Sequence, residues 1–181
     1  MKRKTNEIRQ TEVKARDLDA FDRKILGMLV RDAGASYVEL GKEIGLSAPA
    51  VHERVKRMKR SGVIRRTAVL LDPAAIGKPF LAFIHVDVRG WCKTPQQLAI
   101  ADFPEVEEVH NVAGDTSMLL KVRTENPVAL EGLLARIYEV PGIVATRSYI
   151  VLSTQLERPV QPGTTKDWPP PAGRGRERQV S

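Results

Sequence analysis

The feature that most limits the fold is a punctuated series of three short amphipathic segments between Leu18 and Gly62. Leu18, Phe21, Ile25 and Leu29 recur at helical spacing, with Asp19 and Asp22 at the end of the helix dipole that favours negative charge. Asp32, Ala33 and Gly34 stop this segment. In SYVELGKEIG, Ser36 and Glu39 form the S-x-x-E pattern of a capping box, while Leu40 and Ile44 face inward. Gly41 leaves room for a neighbouring helix, and Gly45 ends the segment. Ser47 caps a third helix that tolerates Pro49 in its first turn, where a missing N–H costs nothing. Gly62 ends it, and VIRRTAVLL follows with strand character. Three short helices with a tight turn between the second and third predict a helix-turn-helix.

Beyond Asp72-Pro73 the period changes. PFLAFIHVDV alternates Phe80, Ala82, Ile84, Val86 and Val88 on one face, as a half-buried strand does. TPQQLAIADF carries a Thr94 cap and Pro95 in a first helical turn. EVEEVHNVA and SMLLKVRT read as strands joined at Gly114-Asp115. NPVALEGLLARIYEV is a second capped helix with Val128, Leu130, Leu133, Leu134 and Ile137 inward, and VATRSYIVLST is a fourth strand. The order β-α-β-β-α-β predicts an antiparallel sheet with both helices on one face, the ferredoxin-like plan. Leu81 and Phe83 lie opposite the Phe80 face, so a second copy is expected to cover the outer sheet.

The predicted fold class is therefore α+β. A basic tail spans 1–17, and a helix-turn-helix domain of winged-helix-like character spans 18–66. A hinge at 67–78 leads to a ferredoxin-like domain over 79–158 and a disordered Pro/Gly/Arg-rich tail over 159–181. Charge supports the division. The chain of 181 residues carries a net charge of +7, yet residues 18–66 hold 11 Lys/Arg against 6 Asp/Glu, and residues 67–158 hold 8 against 11. A basic unit beside a mildly acidic one suggests that only the first touches nucleic acid. No apolar run approaches the roughly 20 residues of a membrane span, and the basic start is not followed by a secretory apolar segment. The lone Cys92 excludes an internal disulfide, and His52, His85 and His110 are too far apart in this plan for a zinc site. We therefore expect a cytoplasmic chain with no metal, no cofactor and no membrane partner.

The third helix is the candidate site. On a wheel stepped by about 100° per residue, Val51, Val55 and Met58 fall within about 40° of one another. Pro49, His52, Glu53, Lys56, Arg57 and Arg60 fill the opposite arc, and Arg54 flanks the stripe, where a carboxylate of the second helix is its expected partner. A solvated surface helix would mix its charges more evenly; here Lys56 and Arg60 repel each other at i,i+4. In a helix-turn-helix such a helix enters the major groove by its N-terminal end. Ser47, Pro49, His52 and Glu53 are then expected near bases, and Lys56, Arg57 and Arg60 near phosphate.

These segments together resemble the Lrp/AsnC, or feast–famine, transcription regulators. The resemblance runs from about Leu18 to Leu156 and rests on LDAFDRKIL, LSAPAVHERVKRMKRSGVIRR, the LDPAAIG hinge and VAGDTSMLLKV. It implies an N-terminal reading head on double-stranded DNA and a C-terminal domain that pairs protomers into homodimers or octamers. It also implies a small-molecule effector, commonly an amino acid, bound between protomers. In such proteins the loop between the second and third strands reads G-D-x-D. Here it is Gly114, Asp115, Thr116 and Ser117, with Ser117 in place of the second acid. That loop is the expected effector contact, and a plain hairpin turn is the alternative.

The expected function is a sequence-specific DNA-binding transcription regulator, not an enzyme. One alternative is an architectural DNA binder without an effector. Another is an enzyme of the sirohaem-decarboxylase type on the same two-domain plan, whose strand His110-Asn111 resembles. The small residues Val112, Ala113 and Gly114 that follow suit a large catalytic pocket poorly.

Overall fold

The computed structural model describes residues 18–90 and 94–163. They form two compact units, one from residues up to Ala68 joined by those from Arg158 onward, the other from Val69 to Glu157. No helix among the described residues is long and apolar enough to cross a membrane.

The first unit holds three helices, α1 (Ala20–Arg31), α2 (Tyr37–Ile44) and α3 (Ala48–Arg60). Each starts on a side-chain cap. The Asp19 carboxylate accepts from Asp22 N at 2.8 Å, and the Asp22 carboxylate accepts from Asp19 N at 3.3 Å. Ser36 and Glu39 make the expected reciprocal box at the start of α2, at 3.2 and 2.8 Å. The Ser36 amide and hydroxyl hold the Glu39 carboxyl below its ordinary pKa. Gly45 ends α2 at φ 74°, in the left-handed region that glycine enters without penalty.

Gly41 differs in detail from the sequence reading. A Cβ there would stand 2.4 Å from the carbonyl oxygen of Leu46, and the Leu46 amide donates to Gly41 at 2.9 Å. It is the backbone of the turn, not another helix, that needs the missing side chain. Ile25, Leu40, Val51, Val55 and Met58 are buried together as the core of this unit, each worth about 1.5–3 kcal/mol on burial.

The strand expected over 63–71 does not form. Val63 and Ile64 instead pack against the three-helix core, and the Ile64 amide donates to Met58. Val69, Leu70 and Leu71 are exposed. Branched residues favour a strand only when a neighbouring strand completes the ladder, and none lies beside them among the described residues. The first unit is therefore a three-helix unit without a wing hairpin among its described residues.

The second unit has the element order read from the sequence. β1 (Phe80–Val88) is followed by a one-turn helix, α4 (Pro95–Leu98), that tightens into a 3-10 turn over Ala99–Asp102. β2 (Val106–Asn111), β3 (Met118–Thr124), α5 (Pro127–Tyr138) and β4 (Ile143–Ile150) complete it. The sheet order is β2-β3-β1-β4, antiparallel throughout. Ala82, Ile84 and Val86 meet Met118, Leu120 and Val122 on the covered face, where Leu130, Leu133 and Ile137 of α5 close the core. Val128, read as inward, is 75% exposed. It sits in the first turn of α5, and the buried stripe begins at Leu130.

On the outer face Leu81 is already buried, while Phe83 and His85 are half-buried and Tyr149 is exposed. The expectation for residues 1–17 and 164–181, and the remarks on Cys92 and Trp168, lie outside the described residues. Residues 158–163, read partly as loose tail, belong to the first unit, and Pro162 is half-buried there.

Candidate nucleic-acid interface and effector loop

The buried stripe of α3 is Val51, Val55 and Met58, which leaves its opposite side exposed. His52, Glu53, Lys56, Arg57, Lys59 and Arg60 all lie on the exposed side, as does Pro49 near the start. Ser47 does not project freely: its hydroxyl caps α3 by accepting from Ala50 N at 3.4 Å. A base contact by Ser47 would share that oxygen with the cap.

The N-terminal half of α3 is organised by its neighbours. The Tyr37 ring at the start of α2 lies 5.4 Å from the His52 ring, tilted by 40°. Glu53 lies between His52 Nδ1 at 3.8 Å and Lys56 Nζ at 3.9 Å. The i,i+4 pairing of Glu53 with Arg57 that the spacing allows gives way to the i,i+3 contact with Lys56. Tyr37 was not evident as part of the site, because a tyrosine at a helix start carries no signal that it will meet a histidine on the next helix.

Arg57, though exposed, is tied back to α1. Its Nη2 donates to both carboxylate oxygens of Asp22, at 2.8 and 2.7 Å. Arg54 Nη1 donates to Asp22 Oδ1 at 2.9 Å and to Asp19 Oδ2 at 2.6 Å, with its guanidinium 5.5 Å from the Phe21 ring. The partner of Arg54 is thus α1, where the sequence suggested α2. Hydrogen bonding to Arg54 lowers the pKa of Asp19, and the two aspartates raise that of Arg54. Asp22 is 1% exposed, so a buried carboxylate on α1 fixes the rotation of α3 through two guanidiniums. Lys59 and Arg60 have no anionic partner among the described residues, and Lys56 has only the long contact to Glu53. On α3 the free positive charge is therefore that of Lys56, Lys59 and Arg60, with Arg57 half committed to the fold.

In the second unit, residues 112–117 join β2 to β3. The buried Thr116 hydroxyl donates to the carbonyl of Val86 at 3.2 Å, and Ser117 Oγ accepts from Val88 N at 3.3 Å. Arg147 Nη1 pairs with Asp87 at 3.0 Å, and its Nη2 donates to the Asp115 carbonyl at 3.2 Å. Thr116 and Ser117 thus tie the loop to β1, while the Asp115 carboxylate has no partner among the described residues and Gly114 borders open space. The histidines are dispersed: His85 lies against the Tyr149 ring and His110 pairs with Glu108 at 2.8 Å. No group of three or more His, Cys, Asp or Glu among the described residues could hold a metal ion.

Comparison with known proteins agrees with this anatomy. The model of the AsnC-type helix-turn-helix domain matches residues 18–59, and that of the Lrp/AsnC ligand binding domain matches residues 81–161. The HTH-type transcriptional regulator FL11 of Pyrococcus horikoshii is 37% identical over 140 residues, covering 77% of this chain and 93% of that protein. The leucine-responsive regulatory protein of Escherichia coli is 37% identical over 141 residues, covering 76% of this chain and 86% of that one. The feast or famine regulatory protein of M. tuberculosis, solved in complex with L-methionine, superposes with a TM-score of 0.72 at 33% identity. That match covers 77% of this chain and 95% of the other.

Proposed function

This chain belongs to the Lrp/AsnC family of transcription regulators, and on that premise we propose that α3 reads operator DNA through His52 and Glu53 while Lys56 and Arg60 hold phosphate. One observation carries the assignment: apolar residues occupy a single side of α3, and the cations without a close partner occupy the other. His52 can donate to or accept from a base edge, and Glu53 can accept from a cytosine amine. Lys56 and Arg60, further along the helix, meet the backbone, which positions the head without specifying sequence. Arg57 adds phosphate contact only with the part of its guanidinium that Asp22 does not hold.

A homodimer would present two such helices to half-sites about one helical turn apart. The half-buried outer sheet residues Phe83 and His85, with Tyr149, support pairing through that face, and octamers are the natural extension. We read the chain as a regulator rather than an enzyme, working in the cytoplasm where its DNA partner is.

The genomic sites bound by the purified protein supply the test. His52→Ala should reduce discrimination between recovered sites and random duplex by about ten- to hundredfold, the worth of one base contact. Its affinity for random DNA should stay within about twofold. Equal losses on both DNAs would reject the base-reading role of His52.

The effector loop carries the second half of the reading. We propose that the Asp115 carboxylate, beside the open backbone at Gly114, receives the ammonium of an amino-acid effector. Thr116 and Ser117 set the shape of the loop beneath it. The single acid, with Ser117 where a second is usual, suits a ligand with one positive group. A thermal-shift panel of the twenty amino acids should find at least one that raises the melting temperature, and Asp115→Asn should abolish that rise. No shift with any of them would favour the effector-independent architectural reading, in which the loop is a hairpin turn and nothing more.

A further inference from the structure

The side of α1 turned away from α3 borders a cavity of about 670 Å³. Asp22, Ile25 and Leu29 point from α1 toward α3 and the core of the first unit. At about 100° per residue, Arg23, Lys24, Gly27 and Arg31 stand on the opposite side of the same helix. Residues 158–163 belong to the same unit and wall the cavity with Arg158, Pro162 and Gly163. Arg23 Nη1 donates to the Pro162 carbonyl at 2.7 Å, and Pro162 Cγ lies 3.6 Å from where a Cβ on Gly27 would stand. Pro162 is therefore held by a charge-assisted bond and rests on the bare backbone of α1.

The lining divides by polarity. Gly27, Met28, Ile44 and Pro162 supply its apolar part, while Arg23, Lys24, Arg31 and Arg158 supply positive charge. Glu43 is the one acid lining it among the described residues, so four cations against one carboxylate leave a net charge of +3. Lys24, Arg31 and Arg158 have no anionic partner among the described residues. Like charges gathered around one concavity repel each other until an anion lies among them. Size narrows the choice of anion. Clefts of about 300–1,000 Å³ take organic molecules, whereas orthophosphate would leave most of this space and all of its apolar lining unused. We propose that the cavity binds a nucleoside polyphosphate, with its phosphates among the four cations and its base against Met28, Ile44 and Pro162. Guanidiniums meet phosphate oxygens through paired hydrogen bonds, and the Lys24 ammonium adds a point charge. The polarisable Met28 thioether packs on a flat base, and Glu43 can accept from a ribose hydroxyl or a base amine. The site uses neither α3 nor the loop between β2 and β3, and it stands without the DNA-binding reading. A duplex along α3 would meet the other side of the unit.

Calorimetric titration of the full chain, free of DNA, with ATP, GTP and inorganic pyrophosphate tests the site. At least one nucleotide should bind about tenfold or more tightly than pyrophosphate, because only the nucleotide reaches the apolar lining. Two variants locate the binding. Gly27→Leu fills the cavity from inside α1, where leucine is a better helix former than glycine, so the helix should persist by circular dichroism. Lys24→Ala/Arg31→Ala removes two exposed cations that make no contact with the core. Each variant should weaken nucleotide binding by about tenfold or more, the first by occupying the space and the second by removing charge-assisted bonds. In the double variant the slope of log K against log salt on random duplex should stay within about 0.3 of the wild type. Failure of both nucleotides to bind overturns the proposal. So does nucleotide binding that pyrophosphate matches, or that either variant leaves unchanged. A salt slope reduced by about 1.8 in the double variant would overturn it as well, by assigning Lys24 and Arg31 to duplex phosphate.

Discussion

Asp22→Ala should destabilise the first unit by about 3 kcal/mol, the largest loss expected from any single change to a polar residue of the reading head. The carboxylate is 1% exposed and takes three hydrogen bonds from Arg54 and Arg57 at 2.7–2.9 Å, while also receiving the Asp19 amide. Removing one member of a buried ion pair typically costs about 3–5 kcal/mol, because the remaining charge is left desolvated. The lower end applies here. Arg57 is 55% exposed and can swing into water, whereas Arg54, at 24%, keeps only Asp19. Set against a total stability of about 5–15 kcal/mol, the change would leave a substantial fraction of heads unfolded on mild heating. Denaturant titration followed by helical circular dichroism measures it. A loss below about 1 kcal/mol would mean that the apolar stripe alone sets the orientation of α3.

Asp22 also explains which parts of the molecule were legible from the residues. Caps, glycine stops and Pro-first turns were readable because each acts within three or four residues: Ser36 with Glu39, Ser47 with Ala50, Asn126 with Ala129. The alternation of Ala82, Ile84 and Val86 fixed a face for the same reason, since the strand period is local. Contacts that bridge distant segments left weaker traces. Asp22 meets Arg54 and Arg57 more than thirty residues later, and its spacing from Asp19 pointed equally well to a capping box, which it also makes. The strand expected at 63–71 followed from branched residues, but strand formation depends on a neighbour that those residues cannot specify. Val128 was grouped with the inward residues of α5, yet at about 100° per residue it stands on the side of the helix opposite Leu130 and Ile137, where it is exposed. The loop between β2 and β3 shows the same limit. Gly114 and Asp115 were visible as a motif, yet that Thr116 and Ser117 reach back to β1 depended on the register of Val86 and Val88.

The commitment of Arg57 to Asp22 decides how the proposed DNA-binding surface of α3 is best tested. Reversing Arg57 to glutamate would set a carboxylate against the buried Asp22, so a loss of DNA binding would report misfolding as much as a lost phosphate contact. Lys56 and Arg60 avoid this difficulty. Both are exposed, neither supports the core, and alanine raises helix propensity at both positions while relieving their mutual repulsion. The double change Lys56→Ala/Arg60→Ala should therefore leave folding within about 1 kcal/mol of the parent. Two phosphate contacts contribute about 1.8 to the salt slope, which at about 0.1 M salt corresponds to roughly 60- to 100-fold in affinity per head. Because phosphate positions the head without reading sequence, the loss should be the same on a preferred site and on random duplex, in contrast to His52→Ala. Anisotropy titrations of both DNAs at two salt concentrations would measure slope and discrimination together. Affinity within threefold of the parent, with the slope unmoved, would mean that α3 does not lie along the backbone and that the head docks by another surface.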